Sequence, residues 1–377
     1  MIFFVCSVFI SFVVAFMAIY VLLGLSTIKQ VAKLAVITKE PSLAIIIAVR
    51  NEEEDLEKAL QSVCNINYEN HRIIVVNDRS TDGTGEILKK FTGLYPKLTV
   101  TTISTLPDGW LGKNNALYQG YKSSDEEWLL FIDADIVFHP DAINKSVGYA
   151  VSQGLDHLTI LPEAISRSVI LNSVLGTFVY MLMVHMRPWA AKNPKSKGFA
   201  AIGAFNLVKR DSYEKVGTHA SIKIRPDDDL QLGMMIKAAG LKQDVLAGSK
   251  YVSLEWYKKL SQFGNGILKN SFAVAGYSLI TSIANVLLIL LFVALPIPIL
   301  LIFGDAPIRL MALIAFLCQV LYMTLVVPNK WWYAFVIPFA GLYIAYFTLK
   351  SATLTLKQGG IYWRDSFYSL AMLKGKK

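Results

Sequence analysis

The chain has 377 residues, 54% of them hydrophobic and only 17% charged, which is more apolar than a soluble domain of this length requires. Its formal charge is +9, but Lys and Arg do not cluster with aromatics on one soluble face, which argues against a nucleic-acid partner. Three scattered cysteines, Cys6, Cys64 and Cys318, form neither a disulfide framework nor a metal-ligand spacing, and they suit a reducing compartment.

The first element is an uncharged run from Ile2 to Leu25. As a helix it would extend roughly 36 Å, enough to cross a hydrocarbon core of about 30 Å. Met1 leads straight into this run without a basic start, so a retained anchor is expected rather than a cleaved signal. Lys29, Lys33 and Lys39 follow it, as basic residues do on the cytoplasmic side of a span.

From there to Lys269 the composition turns globular. "SLAIIIAVR" (42–50) reads as a buried strand, and "NEEEDLEKALQSV" as the helix after it. "HRIIVVNDRS" (71–80) and "TGEILKKFTGLY" repeat the scheme, and "EWLLFIDADIVF" (127–138) reads as a third strand. Alternating strands and helices predict an α/β fold, and continuous apolar strands predict a mostly parallel sheet covered on both faces. In such sheets functional residues collect beyond the carboxyl ends of the strands. Arg50-Asn51-Glu52, Asn77-Asp78-Arg79-Ser80 and Asp133-Ala134-Asp135 would therefore line one sheet edge.

Ser168–Val184 is apolar but short, and a helix lying in the membrane interface is expected there. Three further apolar stretches, Tyr277–Phe303, Leu310–Val327 and Trp331–Leu349, complete an integral membrane protein. "ALPIPILL" (294–301) could break a re-entrant segment instead of completing a span.

The chemistry sits in the polar clusters. Residues i and i+2 of a strand share a face, so Asp133 and Asp135 could converge on one cation; two solvated loop acids are the alternative. Asp78, at a strand tip, could accept hydrogen bonds from a base N–H or a ribose hydroxyl. Lys113, in "LPDGWLGKNNALYQG", could meet a phosphate. That segment is not a Walker loop, because only two residues separate Gly109 from Gly112 and Asn114 follows the lysine. No GxGxxG fingerprint occurs either. His185 and His219 read as ordinary structural histidines.

"IIIAVRNEEEDL", "VVNDRSTDGT", "GWLGKNNAL", "FIDADIVF", "GAFNLVKRDSYEKVGTH" and "DDDLQLG" stand in the order and spacing of family 2 glycosyltransferases of the GT-A fold. The resemblance covers roughly residues 41–245. The N-terminal anchor and C-terminal spans resemble its membrane branch, which includes ceramide glucosyltransferase-like, hopanoid-associated and diaponeurosporenoate glycosyltransferases.

The resemblance implies the following roles. Asp78 would contact the nucleobase, Asp135 with Asp133 would hold Mg²⁺ or Mn²⁺, and Ala48, Arg50, Glu52 and Lys113 would frame the nucleotide-sugar, a UDP-sugar by expectation. Gly203 and Asn206 would border the sugar and acceptor, with Trp256 and Tyr257 near the acceptor. Leu232 aligns Asp228-Asp229 with the family's acidic pair and makes Asp229 the expected base. Retained stereochemistry is not expected; the family resemblance implies an inverted linkage.

The implied organisation is an anchor and linker (1–39), a nucleotide-sugar-binding half (40–160) and an acceptor half with interfacial helices (161–270). C-terminal transmembrane segments (271–349) and a basic cytoplasmic tail (350–377) would follow. The catalytic domain would face the cytoplasm of a multi-pass protein in the cell membrane, with a membrane lipid as acceptor. The Gln-x-x-Arg-Trp motif of processive synthases is absent after Asp229, so a single sugar transfer is expected. Arg364 resembles a Trp-Arg element of the family. Transfer to a polyprenyl phosphate, and a catalytically inactive membrane scaffold, are the alternatives.

Overall fold

The computed structural model describes residues 1–164, 166, 168–327, 330–363 and 366–374; Arg364 lies outside the described residues. Contacts divide the chain into two units: Ile28–Ile165 with Pro188–Trp256, and Met1–Thr27 with Ser166–Arg187 and Tyr257–Lys377. The first eleven strands are β1 (Lys29–Gln30), β2 (Leu43–Val49), β3 (His71–Asp78), β4 (Leu98–Ile103), β5 (Trp128–Ile132), β6 (Val137–Phe138), β7 (His157–Leu161), β8 (Glu163–Ala164), β9 (Asn206–Lys209), β10 (Gln243–Ala247) and β11 (Val252–Leu254). The first eight helices are α1 (Ile2–Ser26), α2 (Leu56–Cys64), α3 (Thr84–Leu94), α4 (Gly112–Lys122), α5 (Ala142–Ser152), α6 (Val169–Met186), α7 (Arg210–Lys215) and α8 (Asp228–Ala238).

All eleven strands belong to the first unit. Eight form one sheet in the order β1-β10-β7-β9-β5-β2-β3-β4, and β6-β11-β8 form a small second sheet. Every neighbouring pair of the large sheet is parallel except the two made by β9, which runs antiparallel between β5 and β7. The sheet is covered on both faces, as the apolar runs predict. Ile45, Ile47, Ile73, Val75, Leu130 and Ile132 pack in one core with α2, α3 and α5 residues. Their alternates Ala44, Ile46, Ile74, Val76, Leu129 and Phe131 pack in another, with Leu117 of α4 and Leu232 and Ile236 of α8. A period of two thus feeds two cores from each strand.

Register sets the functional edge. Leu43 pairs with His71 and with Trp128, so the carboxyl ends of β2, β3 and β5 lie together as expected. The third strand is shorter than the sequence suggested. It stops at Ile132, Ala134 and Asp135 form a turn, and Val137–Phe138 joins the small sheet. Asp133 leaves the ladder because its N–H donates to the Gly203 carbonyl at 3.1 Å, which β9's antiparallel approach supplies.

The second unit is helical, with α9 (Leu260–Val274), α10 (Leu279–Ile289), α11 (Pro296–Phe303), α12 (Ala306–Val326) and α13 (Ile337–Gln358) beside α1 and α6. The hairpin β12 (Gly360–Trp363) and β13 (Ser366–Ser369) follows. Small and slim residues, Ser7, Ser11, Val14, Ala18, Val21 and Gly24, form the buried stripe of α1, and Val14 packs with Ala315 of α12. Close approach of small residues is how helices associate in lipid. Phe9, Phe12 and Phe16 of α1 and Leu310, Leu317 and Leu325 of α12 point outward. Four described helices are long and apolar enough to cross a membrane: Ile2–Ser26, Val169–Ala190, Ala306–Val326 and Trp331–Gln358. The second contains the segment expected to lie in the interface. Leu279–Ala294 and Pro296–Phe303 together make a fifth candidate, bent by 49° at the proline-rich segment that the sequence marked as a break.

Two helix glycines test the packing. A Cβ on Gly120 would stand 2.4 Å from Ile46 Cγ2, whereas one on Gly93 meets nothing within 4 Å. Gly120→Val is expected to destabilise the protein by ~1–3 kcal/mol through overpacking. Gly93→Ala should be neutral or stabilising by up to ~1 kcal/mol. Thermal unfolding of the two variants distinguishes them.

Candidate active site

The sheet edge gathers the polar residues in a definite arrangement. Asp78 ends β3, 3% exposed, and Arg79 grips it with Nε to Oδ1 at 2.7 Å and Nη2 to Oδ2 at 3.0 Å. Arg50 Nη1 stands 3.7 Å from Oδ2. Gly112, the first residue of α4, is there because a Cβ would fall 2.1 Å from that same oxygen. The carboxylate expected to receive a base is therefore already paired with arginines, and it sits at the positive end of a helix.

One residue further along α4, Lys113 reaches Asp133 Oδ1 at 2.8 Å and Asp228 Oδ1 at 3.4 Å. Burial opposes its charge, but Asp133, Asp228 and Asp229 outweigh burial and hold the ammonium well above its usual range. Asn114, in the position that excluded a Walker loop, clamps α4 to the segment leading into α8. Its Nδ2 donates to the carbonyls of Ile222 at 2.7 Å and Arg225 at 2.9 Å. This clamp is what sets Lys113 opposite Asp228.

Asp227, Asp228 and Asp229 have separate functions. Asp227 is taken up by Arg225, with contacts of 2.9 and 2.7 Å, and by Gln231 at 2.9 Å. Asp228, 4% exposed, lines a cavity with Lys113, Asp133, Gly203, Asn206 and His219. Asp229 Oδ2 accepts from the Gly203 N–H at 2.8 Å, and its Oδ1 accepts from Leu230 N–H at 2.8 Å. Burial pushes the Asp228 carboxyl up to about 7, against Lys113, with the charges of Asp229 and Asp133 adding to the rise. Asp229 moves the same way for the same first reason. Gly203 joins the two sides: a Cβ there would lie 2.5 Å from Asp133 Oδ2.

Asp135, in the turn beyond β5, is pushed up to about 7 by burial first and by the Asp133 charge second, with Glu52 and Asp55 adding to it. Glu52 is thus close enough to act on Asp135, although its own N–H is bound to Thr84 Oγ1 at 2.9 Å. No group of three or more His, Cys, Asp or Glu able to hold a metal occurs among the described residues. A pair of carboxylates remains, and an oxygen-only pair suits a hard ion whose other ligands come from water and phosphate. Lys113 faces three carboxylates, Asp133, Asp228 and Asp229, and Asp135 stands close enough to Asp133 to feel its charge. The donor set fits a divalent cation.

Ala48 lies on β2, and Trp256 follows β11; neither lines the cavity. His219, expected to be ordinary, does line it. Its Nδ1 is 2.5 Å from the Tyr213 hydroxyl, which accepts from the His219 backbone N–H at 2.9 Å. Its Nε2 stands 3.9 Å from Asp228 Oδ2. Burial, then the Lys113 charge, lowers its pKa to about 3, which keeps it neutral. A histidine six residues after a tyrosine gave no sequence signal for this.

Asp228 gives a pH prediction. Its folded pKa of about 7 lies above the ordinary 3.8, so the folded state binds the extra proton between those values. Stability of the protein without added nucleotide or metal should fall as pH rises from about 4 to about 7. Asp228→Asn should therefore raise the unfolding temperature at pH 8, by on the order of a few kcal/mol of stability, and give no gain at pH 4. Thermal melts at both pH values check it.

With this geometry in hand, comparison with known proteins is direct. Residues 44–217 match the model of Glycosyl transferase family 2. A 4,4'-diaponeurosporenoate glycosyltransferase of Staphylococcus aureus (strain USA300) is 26% identical over 220 residues, covering 58% of this chain and 57% of that relative. Its counterpart in Staphylococcus aureus (strain bovine RF122 / ET3-1) is 28% identical over 260 residues, covering 65% and 68%. The chain thus spans less than two thirds of the first relative's length. A mannosyltransferase from Pyrobaculum calidifontis, solved in complex with GDP-Man and Mn2+, shares the fold with TM-score 0.57 and 16% identity, over 93% of this chain and 98% of that one. Residues 44–217 therefore form a family 2 glycosyltransferase domain on the GT-A fold.

Proposed function

We propose that the chain is a membrane-bound inverting glycosyltransferase that moves one sugar from a nucleotide-sugar, a UDP-sugar, to a lipid acceptor of carotenoid type. The observation that carries this reading is Lys113 set among Asp133, Asp228 and Asp229 at the carboxyl edge of a parallel sheet. The relatives' shared name supports the acceptor class. The candidate spans and the lysines after α1 support a multi-pass protein with its domain on the cytoplasmic side.

In this reading residues 40–160 bind the donor. Asp78, with Arg50 and Arg79, meets the base and ribose, and Ala48 and Glu52 border that pocket. Asp135 and Asp133 would hold Mg²⁺ or Mn²⁺, which would supply positive charge against the diphosphate. Lys113 faces the same diphosphate and stabilises the charge that grows on it, the electrostatic contribution that is usually largest. The acceptor oxygen, bordered by Gly203, Asn206 and Trp256, attacks the anomeric carbon from the face opposite the phosphate. The bond from that carbon to the phosphate oxygen breaks, and the nucleoside diphosphate leaves with the electron pair. Asp228 and Asp229 titrate as a pair and take the proton of an acceptor hydroxyl, with Asp229 at the family's base position. An acceptor carboxylate would arrive already ionised and would need no such transfer.

Hydrolysis of UDP-glucose, UDP-galactose, UDP-GlcNAc and GDP-mannose by the purified protein, with and without Mn²⁺, tests the activity. Turnover of none of them would leave a membrane scaffold as the reading. With a hydroxyl acceptor, Asp229→Asn is expected to bind nucleotide as the wild type does and to lose transfer ~10²–10⁴-fold. Asp135→Asn should instead lose the part of nucleotide affinity that depends on the metal. A fully active Asp229→Asn would move the base to Asp228. Stripping the metal with a chelator should abolish turnover and adding Mn²⁺ should restore it.

A further inference from the structure

A buried chain of side chains runs from the backbone into the cavity and fixes which hydrogen-bonding group stands there. Gln243 of β10 and His157 of β7 are adjacent in register, and both are essentially unexposed, at 1% and 0%. Gln243 Oε1 accepts from the Ala200 N–H at 2.9 Å, and its Nε2 donates to the Gly233 carbonyl at 3.1 Å. Two backbone groups of opposite sense therefore settle the orientation of this amide. The same Nε2 lies 3.0 Å from His157 Nδ1, so that ring nitrogen must accept. A neutral ring then carries its hydrogen on Nε2, which stands 2.6 Å from Asn206 Oδ1. Burial lowers the His157 pKa to about 4, and a second ring hydrogen would also point at the Gln243 amide hydrogens.

The consequence falls on Asn206, 3% exposed and among the residues lining the cavity. Its oxygen is committed to His157, so its –NH2 is the group left to face the cavity. Around it stand the carboxylates of Asp133 and Asp228, which disfavour an anion beside the amide. A neutral hydroxyl suits the place, because it can donate to a carboxylate while accepting from the amide.

We propose that Asn206 reads one hydroxyl of the transferred sugar as a fixed donor, and that His157 and Gln243 are positioning residues that set its polarity. This rests on the glycosyltransferase reading above. The specificity follows from the cost of leaving a buried donor unpaired: a sugar lacking that hydroxyl is rejected.

The test uses the full-length protein, the best of the four nucleotide-sugars above, and its analogues deoxygenated at one sugar position at a time. In the wild type, removal of one particular hydroxyl should lower kcat/KM by ~10-fold or more. In Asn206→Ala the same removal should cost nothing further, with nucleoside diphosphate binding unchanged as a check on folding. Gln243→Glu touches no ligand, yet its carboxylate would draw a hydrogen onto His157 Nδ1 and turn the Asn206 oxygen toward the cavity. It should lose the same discrimination, whereas Gln243→Met, which imposes no polarity, should lose less. Long-range ¹H–¹⁵N spectra of histidine-labelled protein should show His157 protonated on Nε2 alone from pH 6 to pH 8. Protonation on Nδ1, an unchanged deoxy series in Asn206→Ala, or a Met variant as impaired as the Glu variant would overturn the inference while leaving the glycosyltransferase reading intact. Failure of the wild type to turn over any of the four donors would overturn both.

Discussion

One ammonium group holds the site together. Lys113 sits between an acid just beyond a strand and an acid that begins a helix, and without it the carboxylates of Asp133, Asp228 and Asp229 would repel one another. Three long-range features place it there. Asn114 ties its helix to the segment before α8, Gly112 lets that helix start against Asp78, and Gly203 lets the β9 approach close on Asp133. The lysine is too little for the acids it faces. Burial first, with neighbouring carboxylates adding to it, pushes the carboxyls of Asp135 and Asp228 up to about 7.

The sheet topology explains why these groups meet at all. Parallel β2, β3 and β5 bring their polar ends to one edge, and the antiparallel β9 delivers its first residue, Asn206, to that edge opposite Phe131. From the other side, β7 and β10 supply a histidine and a glutamine whose side-chain hydrogen bonds lead on to Asn206. Of two neutral buried histidines, His157 is fixed in one tautomer by a glutamine that backbone groups have already oriented, and His219 is held against the Tyr213 hydroxyl. Charge at the edge and polarity behind it are thus set by different parts of the chain.

How much of this the sequence carried depends on the range of the interaction. The strands β2 and β3 were legible because strands buried on both faces are written as unbroken apolar runs, and the polar residues closing them marked the edge. Asp133 was found, but the strand was drawn too long. Its break depends on a carbonyl seventy residues away, at Gly203. Asp78 was placed at a strand tip, while its grip by Arg79, a neighbour in sequence with a left-handed backbone (φ 57°), was not foreseen. His219 was taken as structural, and His157 and Gln243 were not singled out. Their roles follow from pairings between strands far apart in the chain, and nothing local in "DHLTIL" or "LKQDVL" encodes them. The helices long and apolar enough to cross a membrane at Ile2–Ser26, Ala306–Val326 and Trp331–Gln358 were legible from composition, since length and hydropathy are properties of a single segment, whereas Val169–Ala190 falls where an interfacial helix was expected.

On the proposed reading Asp133 and Asp135 would hold a divalent ion whose shell a diphosphate completes, and by linkage each would then strengthen the binding of the other. The most direct measurement is Mn²⁺ affinity by electron paramagnetic resonance, with and without UDP or GDP. The account predicts weak Mn²⁺ binding alone and at least ~10-fold tighter binding with one of the nucleotides. Mn²⁺ affinity indifferent to both nucleotides would contradict it.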